Sequence, residues 1–247
     1  VNSTGIVDSH CHLADYDDPI GVVRDADQAG IQIVAVTGHP DEYRRLRARL
    51  GPRSTVRVAL GLHPLRAASF RQIDLARFFR FVPDASWIGE VGLDFSPQGV
   101  ATRRQQVKIF ETVLNEAQPG MHPLSVHSRG AEREVIDMLR QTGARAVLHW
   151  YSGPLNLVDV ALDTGAYFSV NPAMLRSPRF PKLLAAVPRD RVLLETDGPY
   201  ARVGRREARP TDLVQLADRL ANVWGVAPTE LRTLLSANYS AVVSAPA

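Results

Sequence analysis

The sequence holds a single cysteine, Cys11, in 247 residues. No intramolecular disulfide can form, and a zinc finger or an iron–sulfur cluster, each built on several thiolates, is excluded. Also missing is any apolar run near the roughly 20 residues needed to cross a bilayer, so no membrane association is expected. No charged start, apolar core and small-residue cleavage site precede His10, and the default expectation is a cytoplasmic location. Low-complexity tracts, Ser/Gly-rich spacers and fixed-period repeats are lacking, which argues against disorder and against a linker. The expectation is one domain over residues 1–247. Strong charge imbalance is absent as well: a formal net charge of +3 tolerates a polyanionic partner without demanding one.

What is present is a recurring set of short apolar, β-rich runs, at residues 5–7, 31–36, 56–60, 86–89, 124–126, 146–148, 166–170 and 191–194. Nearly continuous apolar character over so few residues is how strands buried on both faces read. Stretches long enough for a crossover separate them, and several carry helical periodicity. Val107, Phe110, Leu114 and Ala117 fall three or four apart; residues 131–140 repeat the pattern with Val135, Ile136 and Leu139 before Gly143; Leu213, Leu216, Ala217 and Leu220 do so after Pro210-Thr211-Asp212. Eight alternations predict an α/β fold, a (β/α)8 TIM barrel, with an open doubly wound sheet as the alternative.

In such a barrel the chemistry gathers at the carboxyl ends of the strands. There the sequence puts His10 and His12 at the first run, Glu90 at the fourth, His127 at the fifth, His149 at the sixth and Asp197 just past the eighth. In an extended chain alternate side chains point the same way, so His10 and His12 can grip one ion while Cys11 between them turns into the strand wall. Taken singly, a strand-end histidine can be a satisfied core residue and a strand-end carboxylate can cap the next helix. Six on one rim call for a shared cause. Neutral imidazoles with carboxylates suit Zn²⁺ or Mn²⁺, or Mg²⁺ when water and phosphate complete its shell. Six donors exceed what one open catalytic ion uses and match two ions about 3.5–4 Å apart joined by a carboxylate, as in two-metal hydrolysis of phosphate esters. Glu90, in the middle of the set, is the expected bridge.

The blocks His10-Cys11-His12-Leu13, Gly61-Leu62-His63-Pro64, Gly89-Glu90-Val91-Gly92-Leu93-Asp94, Val126-His127-Ser128-Arg129 and Glu195-Thr196-Asp197-Gly198-Pro199-Tyr200 resemble, in order, the signatures of the TatD family of metal-dependent deoxyribonucleases, within the amidohydrolase-like barrels. The resemblance implies that His10, His12, Glu90 and Asp197 hold one divalent ion and that Glu90, His127 and His149 hold the other. It implies exonuclease action on DNA from the 3′ end, commonly with Mg²⁺, with His63 and Arg129 at the substrate phosphates and Asp94 close to the metals. The hypothesis for mechanism makes Asp197 the group that orients the attacking hydroxide and takes its proton. His149-Trp150-Tyr151-Ser152-Gly153 departs from the family's usual sixth-strand block, and Ser169-Val170-Asn171-Pro172-Ala173-Met174-Leu175 from its usual seventh. Both, with residues 193–200, look closer to the TatD-type nuclease of the Qat anti-phage defence systems, which implies protein partners.

Around the rim, Trp150 and Tyr151 are candidates to stack on a terminal base, and Arg202, Arg205, Arg206 and Arg209 to track single-stranded DNA or its 3′ end. Glu195 is expected to pack or cap, and His39 and His122 are unassigned. Two other functions stay open. A small-molecule amidohydrolase uses the same rim, although no strand-end lysine offers itself for carbamylation. A non-catalytic nucleic-acid-binding subunit of a defence complex is disfavoured by a full ligand set.

Overall fold

The computed structural model describes residues 5–116 and 121–244. From β1 (Val7–Cys11) the chain runs through α1 (Pro19–Gln28), β2 (Gln32–Ala35), α2 (Pro40–Leu50), β3 (Val56–Val58), α3 (Gln72–Phe81) and β4 (Ile88–Gly92). It continues with α4 (Arg103–Glu116), β5 (Leu124–His127), α5 (Glu132–Thr142), β6 (Ala146–Leu148), α6 (Val158–Leu162), β7 (Tyr167–Val170), α7 (Phe180–Ala186) and β8 (Val192–Leu194). A small ribbon, β9 (Arg202–Val203) with β10 (Arg206–Glu207), precedes α8 (Leu213–Trp224) and α9 (Pro228–Val243).

All pairings in the large sheet are parallel, in the order β3-β2-β1-β8-β7-β6-β5-β4. Chain neighbours are therefore sheet neighbours, and β8 returns to β1, the signature of a (β/α)8 barrel rather than a doubly wound sheet. The expected third run of residues 56–60 ends as a ladder at Val58, and the seam beside it closes differently. Leu60 donates to Trp87 O at 3.0 Å and accepts from Gly89 N at 2.9 Å, and Leu62 N donates to Glu90 O at 3.0 Å, so the segment after β3 rather than β3 itself closes the barrel onto β4.

The helices follow from their apolar faces. α4 buries Phe110, Val113 and Leu114, with Val107 partly buried; Ala117 lies outside the described residues. α5 buries Val135, Ile136 and Leu139 and stops before Gly143, whose φ of +64° is a left-handed backbone that favours glycine. Strand alternation sorts the rest. Ile33 and Ala35 of β2, Ala146 and Leu148 of β6, and Val192 and Leu194 of β8 pack outward under the helices. Val34, Val147 and Leu193, one residue out of phase, join Val36, Ala59 and Trp87 in an inner layer.

That layer is closed by α9, whose apolar stripe stands out little in the sequence. Tyr239 stacks on Trp87 with ring centroids 5.8 Å apart and 9° between planes, and Val242 joins the same cluster. Asn238 Nδ2 donates to Arg189 O and Val192 O, both at 2.8 Å, tying α9 to the start of β8. With one end of the barrel filled by apolar side chains, the polar residues are left to the other.

Candidate metal centre

Each candidate ligand sits where a strand delivers it. His10 lies within β1, Glu90 within β4, His127 ends β5, His149 follows β6, and Asp197 lies three residues beyond β8. The β1 register shifts between Asp8 and Cys11, and Cys11 turns into the outer core, fully buried, as expected. His12 N donates to Gly198 O at 2.8 Å and Asp197 N to His10 O at 2.9 Å, so the ends of β1 and β8 are laced together under the site.

The donor atoms converge. His10 Nε2 is 3.2 Å from His12 Nε2, 3.5 Å from Asp197 Oδ1 and 3.6 Å from Glu90 Oε2. His12 Nε2 is 3.4 Å from Asp197 Oδ1 and 3.3 Å from Glu90 Oε2. On the other side, Glu90 Oε1 lies 2.7 Å from His127 Nδ1 and 2.9 Å from His149 Nε2, and those two nitrogens are 3.3 Å apart. The two oxygens of one buried carboxylate thus face two separate sets of donors.

This donor set fits divalent metal. Glu90 Oε2 is buried without a hydrogen-bond partner although three imidazoles surround it. Donors that share one ion at about 2.1 Å stand about 3.0–3.4 Å from each other, and the first set, at 3.2–3.6 Å, is within a few tenths of an ångström of that spacing. His10, His12 and Asp197 form one group able to hold an ion; His10, Glu90 and His149 form another, and His63, Glu90 and His127 a third.

Proton affinities follow the same geometry. Burial alone would raise Glu90, but His63, His149, His10 and His12 outweigh it and hold the carboxyl well below its usual range. Burial pushes His12 down, yet Asp197 and Glu90 lift it to about 10. His149 is lifted likewise, by Glu90 and Glu195 against burial. His10 goes the other way, lowered by burial and by the neighbouring His149.

A set of orienting residues lies behind the donors, and most of it was not foreseen. Ser125 Oγ sits 2.6 Å from His10 Nδ1. Asp94 Oδ2 is 2.8 Å from His127 Nε2, and although burial raises Asp94, His127 and Ser96 bring it down to about 2. Glu195 is fully buried; it accepts from Ser169 Oγ at 2.5 Å, Asn171 Nδ2 at 3.1 Å and Trp150 N at 3.0 Å, and faces the otherwise unpartnered His149 Nδ1 at 3.8 Å. It does more than pack or cap. Trp150 (φ +39°) and Asp197 (φ +48°) both hold left-handed backbone at this junction, a strain of order 1 kcal/mol or more for a bulky side chain.

A cavity of about 670 Å³ opens over the cluster and reaches His63, Asp94, Arg129, Trp150 and Tyr200. His63 Nδ1 accepts from Leu65 N at 3.2 Å, which leaves the proton on Nε2, 3.3 Å from Glu90 Oε2. Arg129 is exposed and has no ion-pair partner among the described residues. Two rim expectations are corrected. Tyr151 is buried, edge-on to Phe168 with its hydroxyl donating to Pro154 O at 2.7 Å, so it presents no face to a base; Trp150 alone of that pair lines the cavity. In the basic loop Arg206 binds the Asp212 carboxylate and Arg209 lies 3.7 Å from Asp25, which leaves Arg202 and Arg205 without a carboxylate partner among the described residues. His39 proves to be a helix cap, its Nδ1 accepting from Asp41 N at 3.1 Å at the start of α2.

The profile of the family described as TatD related DNase matches residues 7–244. Deoxyribonuclease TATDN3 of Homo sapiens is 31% identical over 256 residues, which cover 95% of this chain and 93% of that protein. The uncharacterized metal-dependent hydrolase YcfH of Escherichia coli K12 is 29% identical over 255 residues, covering 95% and 94%. The crystal structure of YJJV, a TatD homologue of Escherichia coli K12, superposes with a TM-score of 0.88 over 98% of this chain and 99% of that one, and at 22% identity this is a likeness of fold.

Proposed function

The chain belongs to the TatD-related DNase family and is a metal-dependent hydrolase acting on DNA, and from that premise we propose that it cleaves phosphodiester bonds with two divalent ions, removing nucleotides from 3′ ends. The observation that carries this reading is Glu90, whose Oε2 faces His10, His12 and His63 while Oε1 faces His127 and His149. In this reading His10, His12, Glu90 and Asp197 hold one ion and Glu90, His127 and His149 the other. Mg²⁺, Mn²⁺ or Zn²⁺ would supply charge to polarise the scissile phosphate and to acidify a water.

The chain's own residues do the rest. Asp197, buried and held below its usual range despite that burial by His12, His10 and His149, stays ionised near neutrality, so it can orient the attacking water and accept its proton. Arg129, free of carboxylates and open to the cavity, offers a planar fork to two phosphate oxygens. His63, with its proton on Nε2, donates one more hydrogen bond. Asp94, Ser125 and Glu195 fix the imidazoles so that their lone pairs face inward.

The same reading takes the protein as one domain over residues 1–247, working in the cytoplasm on single-stranded or 3′-ended DNA. Its defence role and protein partners rest on the likeness of residues 149–153, 169–175 and 193–200 to the Qat nucleases, and plating phage on cells with and without the intact gene tests them. For the chemistry, 3′-labelled and 5′-labelled single-stranded DNA are digested with Mg²⁺, Mn²⁺ or Zn²⁺ and with EDTA. The 3′ label should leave first, and only with metal. No metal-dependent loss of nucleotides with any of the three ions sinks the reading.

A further inference from the structure

The cavity is lined by five carboxylates, Asp15, Glu42, Glu90, Asp94 and Asp197, and by two arginines, Arg66 and Arg129. A polyanion enters such a cavity only where cations meet it. Arg129 is accounted for above; Arg66 is not. It stands in the 3-10 turn Pro64–Ser69, and its N–H donates to His63 O at 2.9 Å. Side chains three apart eclipse in a 3-10 turn, so Arg66 shares a face with His63, toward the cavity.

Its guanidinium is held by one end. Nη1 meets Glu42 Oε1 at 2.5 Å, and Glu42 Oε2 accepts from Gly38 N at 2.9 Å, so the carboxylate is itself anchored. The other guanidinium nitrogens have no hydrogen bond among the described residues. A Cβ at Gly38 would crowd His63 Cβ at 3.1 Å and touch Arg66 Cζ and Nη1 at 3.5 Å, so the bare backbone there lies directly against both side chains. The charge of Arg66 also reaches the Tyr200 phenol across the mouth, opposing the burial and the Asp15 carboxylate that push it up to about 12. Arg66 follows β3 and Arg129 follows β5, so the two flank β4 and its Glu90.

We propose that Arg66 holds a phosphate neighbouring the scissile one, which makes a polynucleotide with at least two phosphates, rather than a lone phosphodiester, the preferred substrate. The proposal deepens the phosphodiesterase reading and rests on it for the position of the scissile phosphate. Glu42 positions the guanidinium, and Arg129 is left to the phosphate at the metals.

The test pairs binding with hydrolysis. Anisotropy of a labelled phosphorothioate single strand, which resists cleavage, is followed over a salt series for the wild type, Arg66→Ala and Arg66→Lys. Hydrolysis of a DNA oligonucleotide is compared with that of bis(p-nitrophenyl) phosphate, which carries one phosphate. Arg66→Ala should weaken strand binding several-fold, reduce the slope of log K against log salt by about 0.7, and raise KM for DNA at least tenfold more than for the small diester. Arg66→Lys should restore part of the binding. An unchanged salt slope, or a loss shared equally by both substrates, overturns the proposal. A wild type that hydrolyses neither substrate sinks the catalytic reading instead, and the salt slope still decides on Arg66.

Discussion

The two ends of this barrel are built from the same strands to opposite purposes. At the floor, Val34, Val147, Leu193 and Trp87 form an apolar layer sealed by Tyr239 and Val242 of α9. At the mouth, toward the other ends of the barrel strands, the inward positions are taken by His10, Glu90, His127 and His149, all but His127 as buried as the floor but with charge instead of hydrocarbon. Burial is common to both ends, so burial cannot be what separates structure from function here. The difference lies in charge: the floor gains from exclusion of water and its unpartnered polar atom, Trp87 Nε1, belongs to a neutral ring, whereas at the mouth the unpartnered atom is an oxygen of a buried carboxylate, Glu90 Oε2, with three imidazoles around it.

The comparison breaks most sharply at Glu90. Glu90→Gln should lower metal-dependent hydrolysis of DNA by on the order of 10³-fold or more, while the melting transition stays cooperative and no longer rises with added Mn²⁺. At the floor the expectation inverts. Trp87→Ala should cost about 3–5 kcal/mol of stability in a urea titration and leave the rate per folded molecule within about twofold. Trp87 Nε1 is buried without a partner, so Trp87→Phe should cost far less than Trp87→Ala. A floor variant that kills activity without destabilising the chain would erase the distinction.

Glu195→Gln probes the layer between. Its carboxylate backs His149 at 3.8 Å, and the substitution should weaken metal affinity by about 10–100-fold in a calorimetric titration. Protons sharpen the contrast further. In the metal-free chain His12 is raised from 6.5 to about 10, so it carries a proton at neutral pH that an incoming ion must displace. Apparent metal affinity should therefore climb with pH, with proton release measurable in buffers of different ionisation enthalpy. In the absence of metal the raised value also stabilises the fold, fully below the ordinary imidazole range and progressively less as pH rises through 10. No floor residue should contribute to the proton release on metal binding, whereas the Tyr239 phenol, pushed up by burial, adds its own loss of stability above pH 10 with or without metal.

What could be read from the sequence follows from this division. The candidate ligands are legible because a parallel barrel fixes where each strand ends, and a histidine or acid at that point needs only its own neighbours to be noticed. His10 and His12 announce themselves two residues apart. Ser125 and Glu195 do not, because their meaning arises from contacts with His10, 115 residues away, and His149, on another strand. α9 is hard to read for a different reason: Leu231, Leu235, Tyr239 and Val242 do fall three or four apart, but Leu234, Ala237, Ala241 and Val243 carry apolar character onto its other faces, so the stripe that seals the floor stands out little. In the basic loop the sequence shows four charges but not the carboxylates of Asp212 and Asp25 that meet Arg206 and Arg209, so only Arg202 and Arg205 keep the expectation of an unpaired cation.

The central claim is that one carboxylate joins two ion sites at the mouth. Its most direct measurement is metal stoichiometry by mass spectrometry and calorimetry on EDTA-stripped protein reloaded with Mn²⁺, for the wild type beside Glu90→Gln. The account predicts two ions per chain in the wild type and loss of both high-affinity sites in the variant. A wild type that takes up one ion or none, or a variant that still binds two with unaltered affinity, contradicts it.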